Sequence, residues 1–149
     1  MEKIYLATDH AGFELKNKIK QFLIEKGFEV EDKGALEYNE TDDYPDFISL
    51  AAKEISQNPN NKAIIFGGSG QGEAMTANHF SNVRTAVYYG GNLEIIKLSR
   101  EHNDANVLSI GARFVNEDEA KEVVGLWLNT EFSNEERHIR RIRKIEEFL

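Results

Sequence analysis

The chain has 149 residues, 30% of them charged and 40% hydrophobic, with 26 acidic side chains against 18 basic ones and no cysteine. That length builds one core without staples, so a single domain over residues 1–149 is expected, while the lack of cysteine excludes disulfides, thiolate metal sites and a cysteine nucleophile. A net charge of −8 argues against a nucleic-acid scaffold, which needs excess positive charge to displace counterions, and no apolar run approaches the roughly 18 residues of a membrane span.

Met1 leads directly into Ile4–Thr8, a short apolar run that reads as a first strand and lacks the zones of a signal peptide, so a cytoplasmic home is expected. Asp9-His10 follows it. Ile19, Phe22 and Leu23 share one face of a first helix, Phe28–Glu31 reads as a second strand, and Phe47, Ala51 and Ile55 line a second helix that starts after Pro45. Ala63–Phe66 is the third strand, and a glycine-rich stretch links it to a helix at Ala74–Ala77. Thr85–Tyr89 and Val107–Ile110 complete five strands. Ala120, Val123, Val124, Trp127 and Leu128 then form a full helical stripe, whose period points to core packing rather than a ligand box. The closing segment, Ser133 to Leu149, carries an Ile142-Ile145-Leu149 stripe with no element left to cover it, and a second subunit is the natural partner.

Strands and helices in regular alternation imply βαβ units, hence a parallel sheet with helices on both faces. Ligands of such sheets bind beyond the carboxyl ends of the strands. Chemistry is therefore expected after Thr8, Phe66, Tyr89 and Ile110, and polar or glycine-rich sequence stands at each place.

After the third strand, Gly67-Gly68-Ser69-Gly70-Gln71-Gly72 lets backbone N–H groups converge on an anion or on an enediolate oxygen. It is not a nucleotide fingerprint: Glu73 stands where Gly-x-Gly-x-x-Gly needs glycine, and the Lys-Ser or Lys-Thr pair of a P-loop is missing. Glu73 has two readings, a general base at the carbon beside the held oxygen or a helix-dipole partner whose pKa falls unless desolvation counters. Ser69 is either a substrate contact or a turn residue. Asp9 suits helix capping and His10 suits anion contact or proton chemistry. His102 is a titrating group or a helix-end dipole partner. No zinc spacing occurs, and no motif is dedicated to magnesium. Arg137 to Lys144 holds five basic residues and no acid, either a small-anion site or a solvated face balanced by Glu135, Glu136, Glu146 and Glu147.

Seven segments, in this order, resemble the ribose-5-phosphate isomerase type B family with its galactose-6-phosphate and allose-6-phosphate isomerase relatives. They are Asp9-His10-Ala11-Gly12-Phe13, Asp43-Tyr44-Pro45-Asp46, Gly67 to Glu73, Ala77-Asn78, Arg100 to Asn106, Gly111-Ala112-Arg113 and Arg137 to Arg141. The resemblance implies a Rossmann-like three-layer α/β/α sandwich with a five-stranded parallel sheet and an extra C-terminal helix. It implies a metal-independent, cofactor-free isomerase, most readily of ribose 5-phosphate. Allose 6-phosphate or galactose 6-phosphate are alternative substrates, and a non-catalytic phosphosugar-binding sensor is the alternative function. On the resemblance, Glu73 is the base; a second branch uses cysteine at the position of Gly67. His102 assists ring opening, Asp9 and Asn103 contact the sugar, and Ser69 bridges to its oxygens within the loop of Gly68, Gly70, Gln71 and Gly72. Phosphate contacts fall on His10, Arg113, Arg137 and Arg141, and the sites lie at a homodimer interface. The Tyr88 to Glu94 link is about two residues longer than the family's, within ordinary loop variation, and leaves the choice of sugar open.

Overall fold

The computed structural model describes residues 2–148. In chain order the elements are β1 (Lys3–Thr8), α1 (Phe13–Glu25), β2 (Glu29–Asp32), α2 (Tyr44–Gln57), β3 (Lys62–Gly67), α3 (Gln71–Ala77), β4 (Thr85–Tyr88), α4 (Leu93–Glu101), β5 (Val107–Gly111), α5 (Glu117–Asn129) and α6 (Glu136–Glu146). The five strands form one wholly parallel sheet in the order β2-β1-β3-β5-β4. The α/β sandwich, the five-strand parallel sheet and the extra terminal helix all match the sequence expectation. Leu149, the last member of the terminal stripe, lies outside the described residues. Among the described residues no helix is long and apolar enough to cross a membrane.

The period-2 alternation of a strand explains why the central strands read as unbroken apolar runs. Ile4 and Leu6 of β1, with Ile64 and Phe66 of β3, join a core with Leu15, Ile19 and Leu23 of α1 and Val123, Val124 and Trp127 of α5. The residues between them, Tyr5, Ala7, Ala63 and Ile65, face the other way and pack with Ile48, Ala51 and Ile55 of α2. Trp127 is fully buried, in the core role its stripe predicted.

Several element boundaries shift by one to three residues from expectation, with α2 starting at Tyr44 and α3 at Gln71, and at two of them the local reason is plain. Phe28 is not in β2, because its N–H closes α1 by bonding to Leu23 O at 3.1 Å while Gly27 turns at φ 90°. β4 stops at Tyr88, since Gly90 and Gly91 both take positive φ, and Asn92 then caps α4 by accepting from the Glu94 N–H at 2.9 Å.

The topology sets where the site lies. From β1 the chain runs outward to β2 and then returns to β3 on the opposite side of β1. The crevice at such a reversal is where open parallel sheets bind ligands, and here it opens between Asp9-His10 and the glycine loop.

Candidate active site

The two sides of the crevice are tied at their base. The Thr8 hydroxyl, fully buried, lies 2.9 Å from Asp9 O and 3.1 Å from Phe66 O and donates across from β1 to β3. Asp9 caps the short 3-10 turn at His10–Gly12 by accepting from the Ala11 N–H at 3.0 Å. The capping role is therefore real, and it also leaves the buried Asp9 carboxylate at the rim of the crevice.

The glycine loop is shaped by close approach. Gly70 turns at φ 81°, a conformation few side chains adopt, and its carbonyl accepts from Ser109 Oγ at 2.7 Å. The start of the loop is laced to the chain beyond β5 through Ala112 N–H to Gly67 O at 2.7 Å and Arg113 N–H to Gly68 O at 3.1 Å. The Arg113 guanidinium consequently lies against Gly68, about 3.1 Å from where a β-carbon would stand. Ser69 has its turn role, its Oγ accepting from the Gln71 N–H at 3.3 Å, while remaining exposed to the crevice.

Glu73 lies in the first turn of α3 and is 4% exposed. Burial pushes its carboxyl pKa up, and the charge of Asp9 adds to that, against the N–H groups of Glu73 itself and Gly70. The contest set up by the sequence, helix dipole against desolvation, goes to desolvation. A raised pKa makes a carboxylate a stronger base once it is ionised.

These residues surround one cavity of about 500 Å³, which brings together Asp9, His10, Gly68, Ser69, Gly72, Glu73 and Arg113. It also holds Tyr44 and Phe114, for which the sequence supplied no role. Tyr44 sat in plain view in the Asp-Tyr-Pro-Asp segment, but its nearness to the loop depends on Gly72: a β-carbon there would stand 2.5 Å from the Tyr44 hydroxyl. Asp9, His10 and Asp42 are the one group among the described residues whose donor atoms, within 4.8 Å of one another, lie close enough to share a cation. Within it, His10 Nδ1 is already bonded to Asp42.

The other expected site residues lie elsewhere in the single chain. His102 and Asn103, at the end of α4, line a separate groove of about 810 Å³ with Arg84, Ile145 and Phe148. Arg137 and Arg141 are exposed on α6, and Arg137 Nε is 3.5 Å from Glu135. Between them His138, 3% exposed, packs on His102 with ring centroids 4.3 Å apart. Burial, helped by the charges of His102 and Arg137, lowers the His138 pKa. Gln71 lines a third cavity of about 310 Å³ beside Tyr89, Gly90 and Asn92, so the long link after β4 borders Gln71 rather than Glu73.

The sequence matches the profile of the family described as Ribose/Galactose Isomerase over residues 4–145. The ribose-5-phosphate isomerase B of Mycobacterium tuberculosis (strain H37Rv) is 39% identical over 146 residues, 98% of this chain and 89% of that protein. The Escherichia coli (strain K12) protein of the same name is 37% identical, over 97% of this chain and 95% of the relative. In three dimensions the chain resembles ribose-5-phosphate isomerase B from Mycoplasma genitalium with bound ribulose-5-phosphate, with a TM-score of 0.93 and 36% identity over 98% of this chain and 95% of the other.

Proposed function

The chain belongs to the Ribose/Galactose Isomerase family, and on that premise we propose that it interconverts ribose 5-phosphate and ribulose 5-phosphate through an enediolate. One observation carries the reading. A buried carboxylate with a raised pKa, Glu73, borders a cavity built from a glycine loop, an acid, a histidine and an arginine. The relatives named above and the ribulose-5-phosphate bound to one of them favour the five-carbon substrate.

In this mechanism ionised Glu73 takes the proton from C2 of the open aldose and returns it to C1, while the hydroxyl proton on O2 passes to O1. The enediolate oxygen that gains charge is held by N–H groups of the loop from Gly68 to Gly72 and by Ser69. Asp9 and Asn103 orient the sugar, and His10, Arg113, Arg137 and Arg141 hold the phosphate away from the reacting carbons, which fixes the substrate without touching the bonds that change. His102 opens the cyclic sugar by moving a proton between the anomeric hydroxyl and the ring oxygen.

The reading includes a homodimer with shared sites. Within one chain His102 and Asn103 line a different groove from Glu73, so a two-fold arrangement that sets each groove against the partner's Glu73 cavity completes two sites at once. The exposed Ile145 and Phe148 at that groove, 50% and 89% accessible, support a covering partner.

The test is a panel of ribose 5-phosphate, allose 6-phosphate and galactose 6-phosphate, followed by ketose formation without added metal. Fastest turnover is expected with ribose 5-phosphate. Binding of the sugars with no conversion of any would defeat the isomerase and leave a sensor.

A further inference from the structure

Asp42 stands in the loop before α2, and the mechanism above gives it no part. Its Oδ1 nevertheless accepts twice from His10, from the backbone N–H at 3.0 Å and from ring Nδ1 at 2.7 Å. The Asp42 side chain is only 7% exposed, and its Oδ2 is buried with no hydrogen-bond partner among the described residues. A carboxylate oxygen left unmatched out of water is unfavourable for the fold by itself. The neighbouring Asp43 is exposed and shows that this loop can place an acid in solvent. Something other than stability is therefore served by turning Asp42 inward onto His10.

The chemistry of the pair specifies what that is. An ionised carboxylate accepts hydrogen bonds and does not donate them, so at 2.7 Å the proton of the contact belongs to His10 Nδ1. Nε2 is then the ring nitrogen left for a ligand, and His10 lines both the cavity of Asp9, Glu73 and Arg113 and a second one beside Glu14 and Tyr38. The second bond, to the backbone N–H, fixes where the carboxylate sits relative to the residue it orients. Tyr38 meets the same ring edge-on, at 6.3 Å between centroids and 88° between planes, which further limits its rotation. A carboxylate behind a histidine is a recurrent way of fixing which nitrogen faces a ligand.

We propose that Asp42 is a positioning residue that keeps the Nδ1–H of His10 turned onto its carboxylate, so that Nε2 faces the phosphate of the substrate and donates to it as the second N–H of the doubly protonated ring. The proposal rests on the phosphate role given to His10 above, and it adds the residue through which that role is set.

Two measurements test it on the full-length protein, with inorganic phosphate as the probe. Imidazole nitrogen chemical shifts from ¹⁵N-histidine-labelled protein, assigned by comparison with His10→Ala, should show a proton resident on Nδ1 of His10. Asp42→Ala should lose that signature and populate both tautomers. Phosphate affinity should fall about tenfold in His10→Ala, the scale of one lost charged hydrogen bond, and by a smaller factor in Asp42→Ala, where the ring remains but is no longer held. The double variant should be no weaker than His10→Ala alone, because both changes remove one interaction. An unchanged Nδ1–H signature in Asp42→Ala would overturn the proposal, as would losses that multiply in the double variant. If Asp42→Ala does not fold, Asp42→Asn replaces it; the amide can donate as well as accept, so mixed tautomers are expected and a pure Nδ1–H state would count against the carboxylate's role. Absence of isomerase activity in the wild-type protein would sink the proposed reaction while leaving the tautomer and phosphate measurements able to decide on Asp42.

Discussion

The carboxylate of Glu73 occupies the space that a β-carbon on Gly67 would need: an atom built there falls on the Glu73 carboxyl group. Gly67 ends β3 and Glu73 lies in the first turn of α3, so the loop between them folds the acid back over the strand end. This gives a physical account of the two branches implied by the family resemblance, since a side chain at residue 67 and a buried glutamate at residue 73 compete for one position. Gly67→Ala is therefore expected to expel the Glu73 carboxylate and lower kcat by about 10² or more, the scale of losing a placed general base. Pairing it with Glu73→Ala should recover the melting temperature lost in Gly67→Ala. A Gly67→Ala protein with normal kcat would show that the carboxylate can work from another place.

Glu73→Gln should separate activity from stability. Turnover is expected to fall by roughly 10²–10⁴ while substrate binding persists. The stability effect has the opposite sign. Because the folded-state pKa is raised, the wild-type glutamate favours the fold in its protonated form, fully so below the ordinary carboxylate range near pH 4.5, and that advantage is lost as pH rises through the raised folded value. The glutamine variant should melt higher than wild type at pH 7 to 8, with the difference shrinking as pH falls through the raised folded value toward the ordinary carboxylate range. Melting curves across pH decide it, and a constant offset would show that ionisation of Glu73 is not the cause.

For His102 the discriminating variable is the form of the substrate. His102→Ala should lose more activity with a ring-closed sugar phosphate than with one that cannot cyclise. Equal losses on both would remove ring opening as its role.

Arg137 and Arg141 lie four residues apart on α6 and share a face, so two guanidinium forks can meet one phosphate. Replacing either by alanine should chiefly raise KM, by about 1.5–3 kcal/mol of lost binding, with lysine restoring only part because a point charge lacks the planar fork. Unchanged KM would return both to a solvated helix face. Mixed dimers sharpen the test: one subunit with Glu73→Gln, the other with Arg137→Ala and Arg141→Ala. Shared sites place both defects in one site and leave the other intact, so about half the activity should return. No recovery in verified mixed dimers would mean that each subunit supplies its own phosphate arginines.

What the sequence determined by itself is what short-range patterning can encode. Alternating strand and helix periods specified a parallel sheet, and the rule for strand ends pointed to Asp9, His10 and the Gly67–Glu73 loop, because those residues sit within a few positions of the strands that present them. Tertiary structure decided the matters that depend on which distant segments meet. The inward turn of Asp42 onto His10 joins residues 32 positions apart, with α1 and β2 between them, and Asp42 itself lies in a loop with no periodicity. Tyr44 reaches the site only because α2 packs beside the loop at Gly72. The rise in the Glu73 pKa required burial to be weighed against local N–H groups, and burial is a property of the packed core rather than of neighbours in sequence. The separation of His102 and Asn103 from Glu73 within one chain is of the same kind: residues that adjoin in a sequence motif are placed by their own strand and helix, and the order of strands across the sheet sets the groove each one faces.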